Sequence, residues 1–282
     1  MSNWTNAGEN MLADFIRGQS MALPANFTLG LLSAASDTAF TENAWTGYAR
    51  QTVVRSLANW SATQGAGTVV ASAGTSHQTS NNNAVNFGTV GAGGSGTINF
   101  VGLFKDTTLI AYAPLANPIA FIAGDPINFA AGSIVFTLGI TGGLSDYASN
   151  RLIDHIWRAQ TFAWPATTQV RLLTTAPTNA GGGAEVVGGS YAPQPLTANM
   201  TFWSGTQGAG TTTASTGTGG RISNNAPINF PVPTANWGTV SHFTITDGAN
   251  LLMWQPMAAA RSVIGGGPSP LFAADKLSIT IA

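Results

Sequence analysis

Toward the end of the chain, apolar and polar residues alternate. Leu277, Ile279 and Ile281 are separated by Ser278 and Thr280. The same alternation occurs earlier, at Ile134, Phe136 and Leu138. A period of two places one side-chain face in a core and the other in water, so each stretch predicts a half-buried strand. A helical period appears in two other places. Leu12, Phe15 and Ile16 share one face, as do Leu152, Ile153, Ile156 and Trp157. Asn6 and Glu9 have capping-box spacing, which starts the first helix, and Gly18 ends it. Ser145 or Asp146 caps the second. Helices of about three turns are marginal alone, so each is expected to pack on the sheet of its own domain.

Strands are also predicted pairwise, at Phe27–Leu32 and Val170–Thr175, and again at Thr52–Leu57 and Leu196–Phe202. Others begin at Asn86-Phe87 and Asn229-Phe230. Thr97–Phe104 turns through Lys105-Asp106-Thr107-Thr108 into Leu109–Ala113. Its match, Thr239–Thr246, turns through Asp247-Gly248-Ala249-Asn250 into Leu251–Trp254. Asp-Gly between apolar runs marks a hairpin, and Pro114 and Pro256 are expected to end the second strand of each.

The pairing follows from a duplication. Trp60-Ser61-Ala62-Thr63-Gln64-Gly65-Ala66-Gly67-Thr68 returns at Trp203–Thr211 with one change in nine. Many short strands separated by Gly/Pro turns predict a mainly β protein: two tandem antiparallel β-sandwich, jelly-roll-like domains, 1–140 and 144–282, each with a short N-terminal helix. The linker Thr141-Gly142-Gly143 is short, so the two are expected to touch. The Gly/Thr/Ser tracts after each repeated Trp motif read either as hairpins within a domain or as arms laid over a neighbouring subunit.

Composition narrows the role. Charged residues make up 7% of the 282, against about 25% in a typical soluble domain. The surface is therefore expected to be covered by Thr, Ser, Asn, Gln and Gly, which suits permanent contact with neighbours. There is no cysteine, hence no disulfide or thiolate chemistry. Met1–Thr5 lacks the basic and apolar segments of a signal peptide, so the Asn-x-Ser/Thr sites at Asn3, Asn26, Asn59 and Asn199 are expected to stay unmodified. No run is long and apolar enough for a membrane helix, and ten scattered basic residues argue against nucleic acid.

Candidate chemistry is sparse. His155 aligns with Phe15 and His242 with Phe100, so both read as packing residues; His77 lies in the first tract. Asp14 matches Asp154, with helix solvation as the simplest job; Asp106 and Asp247 sit in turns. No Asp-rich calcium loop, no Gly-x-Ser-x-Gly elbow and no phosphate loop at Gly91–Gly96 is present. A non-enzymatic protein without metal or cofactor is expected. The paired aromatics Trp60/Trp203, Tyr48/Tyr191 and Tyr112/Trp254 read as core anchors. The unpaired Trp4, Trp45 and Trp237 are candidates for exposure, where they would stack on sugars or meet another protein.

Several motifs resemble a family of tailed-bacteriophage virion proteins described as tail-fibre-like or head-decoration proteins. They are Leu152-Ile153-Asp154-His155-Ile156, Gly188-Gly189-Ser190-Tyr191-Ala192, Phe230-Pro231, Ala235-Asn236-Trp237-Gly238-Thr239-Val240-Ser241-His242-Phe243, Asp247 and Leu251-Leu252. The first half shares them weakly, with Gly93-Gly94-Ser95-Gly96 where the second has Trp-Gly. The resemblance implies a virion protein assembled in the host bacterial cytoplasm, with no catalytic residue. It implies many copies or a homo-oligomer, and the major capsid protein or other virion proteins as partners. Decoration of the capsid exterior is the first expectation; a tail fibre binding a host receptor or carbohydrate is the alternative. Candidate partner contacts are Trp4, Trp45, Trp237, Gln64, Gln207, Asn81 and Asn224.

Overall fold

The computed structural model describes residues 4–141 and 143–281; Asn3 of the first sequon and Gly142 of the linker lie outside them. The first half comprises helix α1 (Asn6–Ile16) and strands β1 (Asn26–Ala35), β2 (Phe40–Glu42), β3 (Gln51–Val54), β4 (Gln78–Ser80), β5 (Val85–Thr89), β6 (Ser95–Lys105), β7 (Thr108–Ile122), β8 (Pro126–Phe129), β9 (Val135–Thr137) and β10 (Ile140–Thr141). The second comprises α2 (Asp146–Arg158), β11 (Thr167–Leu173), β12 (Gln194–Thr197), β13 (Arg221–Ser223), β14 (Ile228–Asn229), β15 (Gly238–Thr246), β16 (Leu251–Val263), β17 (Leu271–Phe272) and β18 (Ser278–Ile281).

The protein is mainly β, built of antiparallel β-sandwich layers. The same three pairings occur in each half. β3-β1-β6-β7 corresponds to β12-β11-β15-β16, β4-β9 to β13-β18, and β5-β8 to β14-β17. The alternating stretches behave as their period demands: Ile134, Phe136, Leu138, Leu277, Ile279 and Ile281 are all buried. Both helices and all these sheets contribute to one continuous apolar core that spans the two halves.

Four expectations are corrected. Thr5, aligned with Ser145, caps α1 in place of Asn6: its Oγ1 accepts from Gly8 N, as Ser145 Oγ accepts from Ala148 N. β7 runs through Pro114 and Pro118 to Ile122, and β16 through Pro256 to Val263. Both are edge strands, and the register slips beside Pro114 and Pro256, so the missing N–H costs no ladder bond. β3 and β12 stop early because a polar turn takes over; Phe202 N, for example, donates to Asn199 Oδ1 at 2.6 Å.

The tracts are the fourth correction, and they hold the halves together. The ends of each tract pair with one another, through Trp60↔Asn81 and Trp203↔Asn224, as a hairpin would. The loop between them wraps the helix of the other half. Arg158 of α2 is fully buried; its Nε donates to Trp60 O at 3.0 Å, and its Nη2 donates to Thr68 O and Val70 O. Its partner Asp154 accepts from Ser72 N and Oγ at 2.9 and 2.6 Å. A partial mirror set is present; unlike Arg158, Arg17 has an Nη2 without a hydrogen-bond partner among the described residues. Arg17, just past α1, is also fully buried and donates to Trp203 O at 3.1 Å, while Asp14 accepts from Ser215 N and Oγ. Thr63 bonds Asn150, and Thr206 bonds Asn10. Gly74 and Gly217 let each tract fold closely on itself, since a Cβ at either would lie 2.3 or 2.0 Å from the carbonyl oxygen of Thr63 or Thr206. Asp14 and Asp154 thus bridge the halves rather than solvate their helices.

Further contacts reinforce the crossing. Arg55 donates to the carbonyls of His155 and Ile156, satisfying the last turn of α2. Phe15 stacks on its own counterpart, His155, at 5.3 Å, and β10 pairs with β18. Burial lowers the His155 pKa, which keeps the ring neutral against Phe15. Glu9, whose counterpart is Ser149, is buried beside Gly220 of the other half, and its Oε2 has no hydrogen-bond partner. Desolvation first, then the charge of Asp37, raises its pKa to about 7.

Two outcomes follow from this crossing. Arg158→Ala should cost about 3–5 kcal/mol, because it strands Asp154 inside the protein, and Arg158→Lys should not restore it; denaturant midpoints measure both. Between pH 4.5 and 7 the folded state holds a Glu9 proton that the unfolded state has lost, so stability should fall as pH rises through that window. Glu9→Gln should flatten that slope in melts taken across it.

Candidate binding grooves

The candidate partner contacts separate into buried and exposed sets. Trp4 and Trp237 are buried, and Trp45 is half-buried, so the expectation of exposed tryptophans is corrected. Each has an internal job. Trp4 meets Trp157 edge-on at 5.6 Å. Trp45 packs against Tyr48 at 4.8 Å, and Trp237 against Tyr191 at 5.3 Å. Tyr48 and Tyr191 occupy matching positions, so two tryptophans unrelated in sequence cover the same tyrosine.

Asn81 and Asn224 are buried and fully bonded. Each amide donates to two carbonyls (Asn83 and Ala130; Ala226 and Ala273), and each Oδ1 accepts from Ile134 N or Leu277 N. Gln64 and Gln207 are exposed, but their amides staple the tract. Gln64 bonds Ala71 O and Ala73 N, and Gln207 bonds Ala214 O and Thr216 N. The structure brings none of these residues into a common surface site.

Each tyrosine belongs to a half-buried polar triad that the sequence pattern does not reveal. Tyr48 Oη accepts from Leu31 N at 2.8 Å and donates to Glu42; Tyr191 Oη accepts from Leu172 N at 2.9 Å and donates to Glu185. Burial raises both tyrosine pKa values far above the ordinary range. An arginine completes each triad, but from different strands. In the first half Arg50 pairs with Glu42 and lies 3.4 Å above the Phe104 ring. In the second half Arg171, on β11, pairs with Glu185. The position matching Arg171 is Gly30, where a Cβ would come 2.7 Å from Glu42 and 2.8 Å from Phe104.

This exchange opens a groove. In the first half Phe104 joins Leu32 and Leu109 in a small apolar cluster, and the exposed Phe40 packs edge-on against it at 5.3 Å. The matching positions in the second half are Thr246 and Gly183. Without the two rings, a groove of about 580 Å³ forms among the start of α2, the loop 179–183 and the turn 248–250. The space at the same place in the first half is about 360 Å³. The larger groove is lined by Asp146, Tyr147, Arg171, Asn179, Glu185, Thr244, Thr246 and Asn250. His77 of the first half reaches its edge and bonds Asp146 at 2.9 Å; Trp254 Nε1 holds Asn179 Oδ1 at 2.9 Å. Asp247 accepts from Ala249 N and Asn250 N, which fixes the turn and holds its pKa below the ordinary carboxylate value despite partial burial. An aligned comparison of the halves, Phe104 against Thr246, was the clue available in the sequence.

The groove can make many neutral hydrogen bonds beside one aromatic ring. Among the described residues there is no group of three or more His, Cys, Asp or Glu placed to hold a metal ion, and no helix is long and apolar enough to cross a membrane. The three histidines keep to separate places: His155 against Phe15, His242 against Trp254, and His77 on Asp146.

The model of one protein family, described as Podophage GP4 fiber I protein gp80, matches the chain twice, over residues 1–137 and 143–280. The first half, which resembled virion proteins only weakly by its motifs, is therefore matched as fully as the second. No curated protein matches the chain.

The triad yields a direct test. Gly30→Ala should destabilise the protein by about 1–3 kcal/mol through overpacking against Glu42 and Phe104. Arg171→Ala, beside an open groove, should cost less; denaturant midpoints rank the two.

Proposed function

Because the chain belongs to the Podophage GP4 fiber I protein gp80 family over both of its halves, we propose that it is a non-enzymatic structural protein of a phage tail fibre that contacts the host surface. The double match carries this reading, and it favours the fibre over decoration of the capsid exterior. The mainly β architecture fits a protein whose output is geometry. The two halves act as duplicated domains, 1–140 and 144–282, that fold only together, because each helix is completed by the other's tract.

The contact with the host falls to the second half. Its polar groove offers hydroxyl, amide, carboxylate and guanidinium groups around Tyr147. A saccharide presents hydroxyls for such groups and a C–H face for a ring, and the volume lies within the range of small-ligand pockets. At the same place in the first half, beside Phe40 and Phe104, the space is smaller, about 360 Å³. In this reading one copy keeps the scaffold and the other recognises.

Two measurements test the proposal. In purified virions the protein should label the tail by immunogold microscopy, at far fewer copies than the major capsid protein; label spread over the capsid would overturn the fibre assignment. On an array of bacterial surface glycans, Thr246→Phe should abolish a wild-type response without lowering the melting temperature. A blank wild-type array would remove the saccharide from the reading and leave the fibre role standing.

A further inference from the structure

A second groove, about 710 Å³, lies on the other flank of the second half, between β16 and the β17–β18 segment. Its floor is apolar, formed by Phe243, Met257, Leu271 and Phe272, and a side recess of about 60 Å³ extends under Met257. Two cations stand over it, Arg261 on β16 and Lys276 before β18, and both are exposed. Most of the chain's arginines are committed to internal partners: Arg17 and Arg158 to the tracts, Arg55 to α2, Arg50 and Arg171 to the triads, Arg221 to Asp275. Among the described residues, Arg261 and Lys276 have no hydrogen-bond or ion-pair partner of this kind. Asp275, next to Lys276, is taken by Arg221 and Ser223.

The first half again shows what the site would be without a ligand. β6 and β7 pair Ile98 with Ile119, as β15 and β16 pair Val240 with Arg261. Arg261 therefore replaces Ile119, which packs against the core, and Val263 replaces Phe121, which packs on Trp45 at 5.1 Å. Lys276 replaces Ser133. Two neutral positions of the first half have become cations at the rim of a trough. Leaving cations and apolar side chains in water serves no folding purpose, whereas both fit a complementary ligand.

The strand beside the trough supplies the third element. β16 pairs with β15 on one side, and beyond Pro256 its other edge has no strand beside it among the described residues. Such an edge can accept an added strand, with main-chain hydrogen bonds giving affinity and side-chain pockets giving selectivity. Alternate residues of an extended peptide point to opposite sides, so one set can enter the trough while the other meets the rim.

We propose that this trough docks an extended segment of another protein of the particle, in which apolar residues alternate with Asp or Glu. The segment adds to the edge of β16, seats its apolar side chains on Met257 and Phe272, and pairs its carboxylates with Arg261 and Lys276. The proposal relies on the virion reading only for where the partner resides. The chemistry of docking is independent of the saccharide groove, and a blank glycan array leaves it intact.

The test uses the full chain and a short fluorescein-labelled peptide of alternating valine and aspartate, with a valine–lysine peptide as its counterpart, read by fluorescence anisotropy. The aspartate peptide should bind, and the lysine peptide should not. Arg261→Ile with Lys276→Ser, which restores the first half's residues at two exposed positions, should weaken binding about tenfold or more with no loss of melting temperature. Arg261→Glu with Lys276→Glu should exchange the preference for the lysine peptide. No aspartate-peptide binding at about 1 mM would overturn the proposal, as would binding unchanged by the paired substitutions. Two further results would overturn it in favour of other occupants: binding to phosphatidylglycerol vesicles in place of the peptide, or self-association in sedimentation that Arg261→Ile with Lys276→Ser abolishes.

Discussion

Everything in this structure depends on a reciprocal exchange between two copies of one unit. Each helix carries an aspartate, with a buried arginine in or just past its last turn, and both are held by a tract belonging to the other copy. The tracts are Gly-, Thr- and Ser-rich because they must approach a helix closely and offer backbone carbonyls to a guanidinium. Taking a guanidinium out of water is costly, and hydrogen bonds to the tract offset that cost. Arg158 finds them on Trp60, Ser72, Thr68 and Val70. The repeated Trp motif is thereby explained: its tryptophan is a core anchor and its carbonyl accepts from the arginine of the other half.

The exchange also accounts for the charge-poor surface. With so few charged residues, most arginines are committed to carbonyls and carboxylates of the chain itself, which their planar guanidinium groups suit. What remains outside is Thr, Asn, Gln and Gly, a surface with little repulsion toward neighbours and little attraction toward nucleic acid. Against that background two exposed cations beside an apolar trough stand out as the exception.

Duplication supplied an internal control. At two places the second half carries smaller or more polar side chains than the first. Phe104 and Phe40 give way to Thr246 and Gly183; Ile119 and Phe121 give way to Arg261 and Val263. The exchanges spare the shared scaffold. The Tyr–Glu–Arg triad survives with its arginine moved from Arg50 to Arg171, and the cover on its tyrosine survives with Trp45 replaced by Trp237. One copy can diverge in its grooves while the other keeps the packing, because the core they share is held by both.

The sequence by itself determined the repeat, both helices, the alternating strands and the turn at Asp247-Gly248. All are local: a period of two or 3.6, a cap and a turn residue are set by neighbours in the chain. It also showed that Trp60, Trp203, Tyr48 and Tyr191 are anchors, because duplication exposes paired positions. Only the tertiary structure decided where the tracts lie, why Asp14 and Asp154 are kept, and that Trp4 and Trp237 face inward. Those facts join residues far apart in the chain, such as Arg17 with Trp203 and Trp60 with Arg158, and no periodicity reports such a distance. Whether an unpaired tryptophan is covered, or a glycine leaves a groove open, depends on what the rest of the chain brings to it, and that is fixed by packing alone.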